Sequence, residues 1–459
     1  MHRLGLLHCS FALAVLAAAP PAAAQRTVDE YIKKAMKESE IPGLSLAVLK
    51  NGKIIKAAGY GVSDLETGVP ATTQTVYKAA SISKQFIAAA VMLLAQDGKL
   101  SLDDSAAKYL ASAPESWKGI TIRRLLTHTS GLTRDPTDYE PYRERPIADV
   151  IQSAYSLPLV FQPGERFQYS NLGYYILAEI ISKASGKPWN IFIAERLFAP
   201  AGMTSTRLTS TTDIVPHRAS GYKPTDTGGM IRGEEWIAVR PSGAFLSTVL
   251  DLAKWDAFLD GKSPLTGASL REMWTPVTLA SGAKADYGFG WYVNSYFGRA
   301  RIHHDGQYPG FRADFERFPD DKLSVIVLTN NEYARVETLT LKIAGYYAKT
   351  LETPPFSLTA QADGAPASGN PMTLRVIAKD GGKAAPESIL EVEIWDESDN
   401  SVFKEHRSNE SFAAGEAKTY TFTWTPAKAG RYTVSISAFG PKWNPPYAFN
   451  PRSLVINVN

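Results

Sequence analysis

The strongest constraint on this chain is a single change in its hydrophobic period. From Val28 to about Leu351, helix-like and strand-like segments alternate. "VDEYIKKAMKES" repeats its apolar residues at helical spacing, and "GLSLAVLKNGKIIKAAGYG" reads as a hairpin turning at Asn51-Gly52. "SKQFIAAAVMLLAQDGKL" predicts a helix ending near Gly98, and "NLGYYILAEIISKASG" another that stops at Gly186. "KLSVIVLTNN" is a buried strand, and "VETLTLKIAGYYAKTL" a closing helix. Beyond Pro371 the period falls to two. In "KTYTFTWT" one face is Tyr420, Phe422 and Trp424; in "RYTVSISA" it is Tyr432, Val434 and Ile436. One core cannot serve both patterns, and 459 residues are too many for one compact core. The expectation is an α+β body over 25–351, three-layer α/β/α with an antiparallel sheet flanked by helices, and an all-β Ig-like sandwich over 372–459. The Pro-, Ala- and Gly-rich stretch 352–371, "ETPPFSLTAQADGAPASGNP", reads as a linker.

Residues 1–24 stand apart. A basic start, Met1-His2-Arg3, precedes the apolar core "LGLLHCSFALAVLAAA" and the small residues "PPAAA", the pattern of an export signal cleaved after Ala24. The expected mature protein is periplasmic or secreted, with no stable membrane anchor. The only cysteine, Cys9, lies inside this segment, so the mature chain has no thiol, disulfide or Cys-based metal site. Elsewhere the longest apolar run, "FIAAAVMLLA", is about half of what a bilayer span requires. With 49 basic and 46 acidic side chains and no basic block, nucleic-acid binding has no electrostatic footprint.

Ser81 and Lys84 in "YKAASISKQF" lie one helical turn apart on one face. A hydroxyl is a poor nucleophile until a base takes its proton, and an amine can do so when burial lowers its pKa. The spacing recurs at Ser105/Lys108, Ser220/Lys223, Ser281/Lys284 and Ser401/Lys404. Only Ser81 precedes the most apolar helix of the chain. Tyr169 and Asn171 flank Ser170 in an extended turn before another apolar helix, and residues two apart project to one side. A phenol can relay a proton, and a carboxamide can hold an acyl group. The pattern is common, as Tyr292-Val293-Asn294 illustrates. In "HHDGQYPGF", Gly306 permits close approach to the backbone, which presents the Gln307 N–H as a donor to an oxyanion. The histidine pair at the end of this strand has no third and fourth ligands at zinc-like spacing, so no metal is expected.

Six blocks in order carry a resemblance from about Ile41 to Tyr347: "IPGLSLAVLKNGKIIKAAGYG", "KAASISKQF", "ITIRRLLTHTSGL", "PGERFQYSNLGYYILAEII", "GAFLSTVLDLAKW" and "HDGQYPGF". The chain resembles serine β-lactamases of the class C type, with the related DD-peptidases and esterases. The resemblance implies that Ser81 is the acylated nucleophile, Lys84 its activating partner and Tyr169 a proton shuttle. Asn171 would touch the acyl-side amide of the substrate. His304-Asp305-Gly306 matches the third box, and the N–H groups of Ser81 and Gln307 would form the oxyanion hole. His128, in "LLTHTSGL", falls in a block of structural character. The third box departs from the Lys-Thr-Gly or Lys-Ser-Gly of penicillin-recognising members, because His304 is largely neutral near pH 7. His-x-Gly is typical of esterase-, aminopeptidase- and amidase-like relatives, and Arg312 is a candidate substitute cation. No cofactor is implied.

The expected activity is hydrolysis of a small-molecule or peptide ester or amide through an acyl-enzyme. The rival readings are a non-turnover penicillin-binding sensor and a cell-wall or carbohydrate-binding protein. For the last, "FGPKWNPPYAFNP" offers Trp443, Tyr447 and Phe449 to sugar rings. Pocket walls are expected from the loops "RDPTDYEPYRERP" and "SGYKPTDTGGMIRGEEW".

Overall fold

The structure, a computed structural model, describes residues 22–459 except 137–139, 226–227, 262, 353–355, 365, 383, 398–399 and 441–445. Most of the expected export segment therefore lies outside the described residues. The first helix, α1 (Ala22–Glu38), contains the expected cleavage point at Ala24.

Seven strands build the central sheet: β1 (Gly43–Lys50), β2 (Lys53–Asp64), β3 (Val69–Pro70), β4 (Tyr292–Tyr296), β5 (Arg299–Tyr308), β6 (Phe311–Phe318) and β7 (Leu323–Thr329). Their order is β4-β5-β6-β7-β1-β2-β3, with every neighbour antiparallel. The β1–β2 turn places Asn51 at φ 54° and Gly52 at φ 70°. Two successive left-handed residues are what a tight hairpin of this hand needs.

Alternation along β1 and β7 assigns their side chains to two cores. Leu46, Val48, Val325 and Val327 pack with Ile32 of α1 and with Leu339 and Ile343 of α5 (Val336–Tyr347). Ala47, Leu49, Ile326 and Leu328 belong to the larger core on the other face. That core holds α2 (Ser83–Gln96), α3 (Asn171–Ser185) and α4 (Val249–Gly261). Helices on both faces of an antiparallel sheet give the three layers expected.

Helix α2 is buried on nearly every side, which explains a sequence apolar all round rather than along one stripe. Its Phe86 meets Phe198, Trp255 and Phe245 edge-on, with ring centroids 4.9, 5.0 and 5.7 Å away. Past the helix end, Gly98 takes φ 65°, the glycine stop expected. Helix α3 packs on α2. Ser170 caps it by accepting from the Gly173 N–H at 3.2 Å, and Gly186 closes it at φ 71°.

The C-terminal sandwich has two sheets. One contains β8 (Phe356–Asp363), β9 (Met372–Asp380) and β12 (Ala417–Trp424) in the order β8-β9-β12. The other runs β11 (Ser401–Phe412), β10 (Ala385–Trp395), β13 (Gly430–Phe439), β14 (Pro446–Val458). Phe422, Trp424, Tyr432, Val434 and Ile436 point into its core, as the alternation requires.

Two expectations need correction. The supposed linker 352–371 contains strand β8, which pairs with β9 along its whole length and buries Leu358 and Ala360. Its alternating "FSLTAQAD" was masked by the prolines and glycines around it. Tyr447 is not displayed for sugar: it is 3% exposed, its ring stacked between Phe356 at 5.6 Å and Phe297 at 5.7 Å. Phe297 belongs to the β4–β5 turn, so this stack joins the two bodies. Trp443 lies outside the described residues, as does the side chain of Phe449.

Phe86→Ala removes a ring with no exposed surface from the aromatic cluster behind α2. It is expected to cost about 3–5 kcal/mol, read as a lower denaturant midpoint in chemical unfolding.

Candidate active site

Ser81 sits in a one-turn 3₁₀ segment, Ala80–Ile82, that leads directly into α2. The residue before it, Ala80, is held at φ 49°, a left-handed conformation that costs a non-glycine residue on the order of 1 kcal/mol or more. Strand β5 presses against this turn. A Cβ on Gly306 would meet the Ala79 carbonyl oxygen at 2.5 Å and the Ala80 Cβ at 3.1 Å, so only glycine permits the contact. The β4–β5 ladder ends at Tyr292–His303. Beyond it β5 runs along a cleft of about 530 Å³ lined by Ser81, Tyr169, Asn171, Asp305, Gln307 and Tyr308, among others.

Below the cleft floor, Lys84 has no exposed surface. Its Nζ lies 3.1 Å from Ser81 Oγ, 3.1 Å from Asn171 Oδ1 and 2.9 Å from the Ser242 carbonyl oxygen. Burial, reinforced by the Arg240 guanidinium, pushes its pKa well below that of a free lysine. A neutral amine has two N–H bonds and one lone pair. The two N–H groups suit the carbonyl oxygens of Asn171 and Ser242, leaving the lone pair for the Ser81 hydroxyl proton.

Tyr169 lines the cleft beside Ser81, and Lys84 Nζ lies 4.6 Å from the centre of its ring. Burial raises the phenol well above its ordinary pKa, so it stays protonated. The His128 ring lies against the same tyrosine, with centroids 4.2 Å apart and planes tilted by 34°. His128 Nδ1 accepts from the Ser170 N–H at 3.0 Å, which fixes the turn carrying Tyr169 and Asn171. Asn171 is the first residue of α3, not its cap. Its Nδ2 donates to both carboxylate oxygens of Asp135, at 3.1 and 3.2 Å, and Asp135 pairs in turn with Arg240.

The third box differs from the sequence reading in one respect. The His304 ring is 1% exposed and does not line the cleft. Its Nδ1 lies 2.6 Å from the Asp305 carbonyl oxygen and its Nε2 3.0 Å from the Tyr287 hydroxyl. A carbonyl oxygen only accepts, so Nδ1 carries the proton and Nε2 accepts from Tyr287. Burial, with Lys84 nearby, lowers the imidazole pKa to about 3. His304 is thus a neutral prop beneath the cleft and does not contact substrate space. Nor is the histidine pair at a strand end, since both residues lie within β5.

Arg312, the candidate cation, does not line the cleft; its Nε donates to the Glu332 carbonyl oxygen at 2.8 Å. The guanidinium groups at the cleft are Arg134 and Arg240, both paired with Asp135, and the carboxylates of Asp305 and Glu332 line it as well. Arg134 and Asp135 come from the first expected wall loop, and Trp236 from the second. Tyr292 also lines the cleft, although its Tyr-x-Asn pattern served only as an example of a common spacing. Tyr292, Arg240 and Glu332 had no local signal, because each reaches the cleft from a different loop or strand.

A profile of the Beta-lactamase family matches residues 28–348. A penicillin-binding protein of Bacillus subtilis (strain 168) is 30% identical over 309 residues, covering 62% of this chain and 67% of its own. The octameric penicillin-binding protein homologue from Pyrococcus abyssi superposes with a TM-score of 0.67 at 21% identity, over 91% of this chain and 99% of its own. The D-amino acid amidase from Ochrobactrum anthropi SV3 gives 0.63 at 23% identity, over 72% of this chain and 99% of its own. Among the described residues no helix is long and apolar enough to cross a membrane. With that match running from α1 through α5 and across the cleft, the chain belongs to the β-lactamase family and is a serine hydrolase.

Proposed function

We propose that this enzyme is exported and cleaves a small amide or ester, or a short peptide, through an acyl-enzyme on Ser81. The observation that carries the reading is the buried Lys84 amine 3.1 Å from Ser81 Oγ at the floor of the cleft. Neutral Lys84 takes the hydroxyl proton as Ser81 Oγ attacks the carbonyl carbon. The N–H groups of Ser81 and Gln307 receive the developing oxyanion, a preorganised role that Gly306 makes geometrically available. Tyr169, held protonated, passes its proton to the leaving group; it then takes one from the water that attacks the acyl-enzyme, while Lys84 returns its proton to Ser81 Oγ as the acyl group departs. Asn171 keeps the Lys84 amine aimed while facing the substrate.

Substrate chemistry follows from the charges. With His304 neutral, the third box offers no cation to a β-lactam carboxylate. Asp305 and Glu332 on that side favour a substrate bearing an ammonium group, and Arg134 at the rim favours a carboxylate farther out. The amidase likeness supports the amide class. Export rests on residues 1–24. Glycan contact by the sandwich loses support with Tyr447 sequestered in the ring stack.

Ser81→Ala is expected to abolish turnover of an activated ester and of D-amino-acid amides with the fold intact by circular dichroism. Intact-mass spectrometry of the wild type should show an acyl adduct on Ser81 that decays with product release. Unchanged hydrolysis by Ser81→Ala would sink the proposal, and a persistent adduct without product would make the protein a sensor.

The depressed Lys84 pKa sets the sign of the pH dependence. Acid protonates the base, so kcat/KM falls as pH drops through the lowered pKa and is retained above it. Lys84→Arg, charged at every pH, should lose about 10²–10⁴-fold and lack this acid limb.

A further inference from the structure

We infer that His303, Asp314 and Glu316 form a binding site for one divalent transition-metal ion behind the cleft wall. The three residues come from adjacent strands. His303 on β5 stands opposite Glu316 on β6, and Asp314 lies two residues along β6 on the same face. One ligand atom from each falls within 4.8 Å of the others. Asp314 and Glu316 are fully buried and His303 is 8% exposed.

What sets this cluster apart is how little of it is satisfied. Both ring nitrogens of His303 and both carboxylate oxygens of Asp314 have no hydrogen-bond partner among the described residues. A buried carboxylate without a donor is strongly unfavourable, and a cation is the simplest relief. The charges agree. Around Asp314 the carboxylates of Glu316, Glu337 and Asp305 outnumber the nearby guanidinium of Arg301, which holds both oxygens of Glu316, donating from Nε to Oε2 at 2.8 Å and from Nη2 to Oε1, and donates from Nη2 to Glu337 Oε1 at 2.7 Å. The excess of carboxylates is what a divalent cation relieves.

One imidazole and two carboxylates suit zinc or manganese, with water completing the coordination. Arg301 would hold Glu316 in orientation, as outer partners of metal ligands do. The Tyr292 ring stacks on His303 at 5.3 Å and 27°, and Asp305 lies two residues along β5, so an ion here would fix the cleft wall. The competing solution is a proton shared between Asp314 and Glu316.

The full chain, stripped with a chelator and dialysed against zinc, is measured by plasma mass spectrometry and thermal unfolding. About one zinc per chain with a raised melting temperature is expected for the wild type and equally for Ser81→Ala, whose loss of turnover is a separate readout. Asp314→Asn and His303→Gln should each lose the zinc and its stabilisation. Wild type that retains no zinc overturns the proposal, as does equal zinc in both variants. A wild type that takes up no zinc, together with an Asp314→Asn variant of equal stability, would identify the shared proton instead.

Discussion

The interaction on which the structure depends is a lysine amine kept from water beside a serine hydroxyl. Removing an ammonium from solvent costs several kcal/mol unless the charge is given up. Lys84 therefore needs a helix buried on all sides, two carbonyl oxygens to take its N–H groups, and positive neighbours that favour the neutral form. Helix α2 sits between the sheet and α3 because that environment is found nowhere nearer the surface. Asn171 opens α3 and Ser242 lies in the 3₁₀ turn Pro241–Gly243, so the amine ties together three separate parts of the chain.

A second contact sets the cleft beside it. Strand β5 touches the Ala79–Ala80 turn backbone to backbone at Gly306, and Ala80 takes a left-handed conformation at that point. The sheet thereby reaches the helical layer next to Ser81 itself. The end of the β4 ladder at His303 leaves the following residues of β5 to form a wall. His304 supports that wall from beneath, uncharged, through Tyr287 and its own neighbouring carbonyl. The loops bearing Arg134, Asp135 and Arg240 line the rest of the cleft.

The layered body and its Ser81–Lys84 pair were legible because each has a local signature. Helical periodicity gave α2 and α3, Asn51-Gly52 gave the first hairpin, and the glycine stops at Gly98 and Gly186 fell where expected. Strand β8 was hidden because its neighbours are proline and glycine. The direction of the His304 ring could not be read, since sequence shows that a strand alternates but not how a ring is tethered. Tyr292, Arg240 and Glu332 were invisible for a different reason: they converge on the cleft only through tertiary folding. Asp314 and Glu316 escaped notice beside His303 because cross-strand register, not spacing, brings them together.

The ring stack of Phe297, Tyr447 and Phe356 also bears on how the two bodies work as one solid. Phe297 closes the hairpin whose strands carry Tyr292 and Asp305. That hairpin includes β4, the outermost strand of the sheet, and outer strands are where sheets fray or recruit foreign strands. With its tip stacked on the Tyr447 ring of the sandwich, the hairpin is held at both ends, by the sheet at one and by the second body at the other. The appended sandwich thus braces the tip of the hairpin that forms part of the cleft wall.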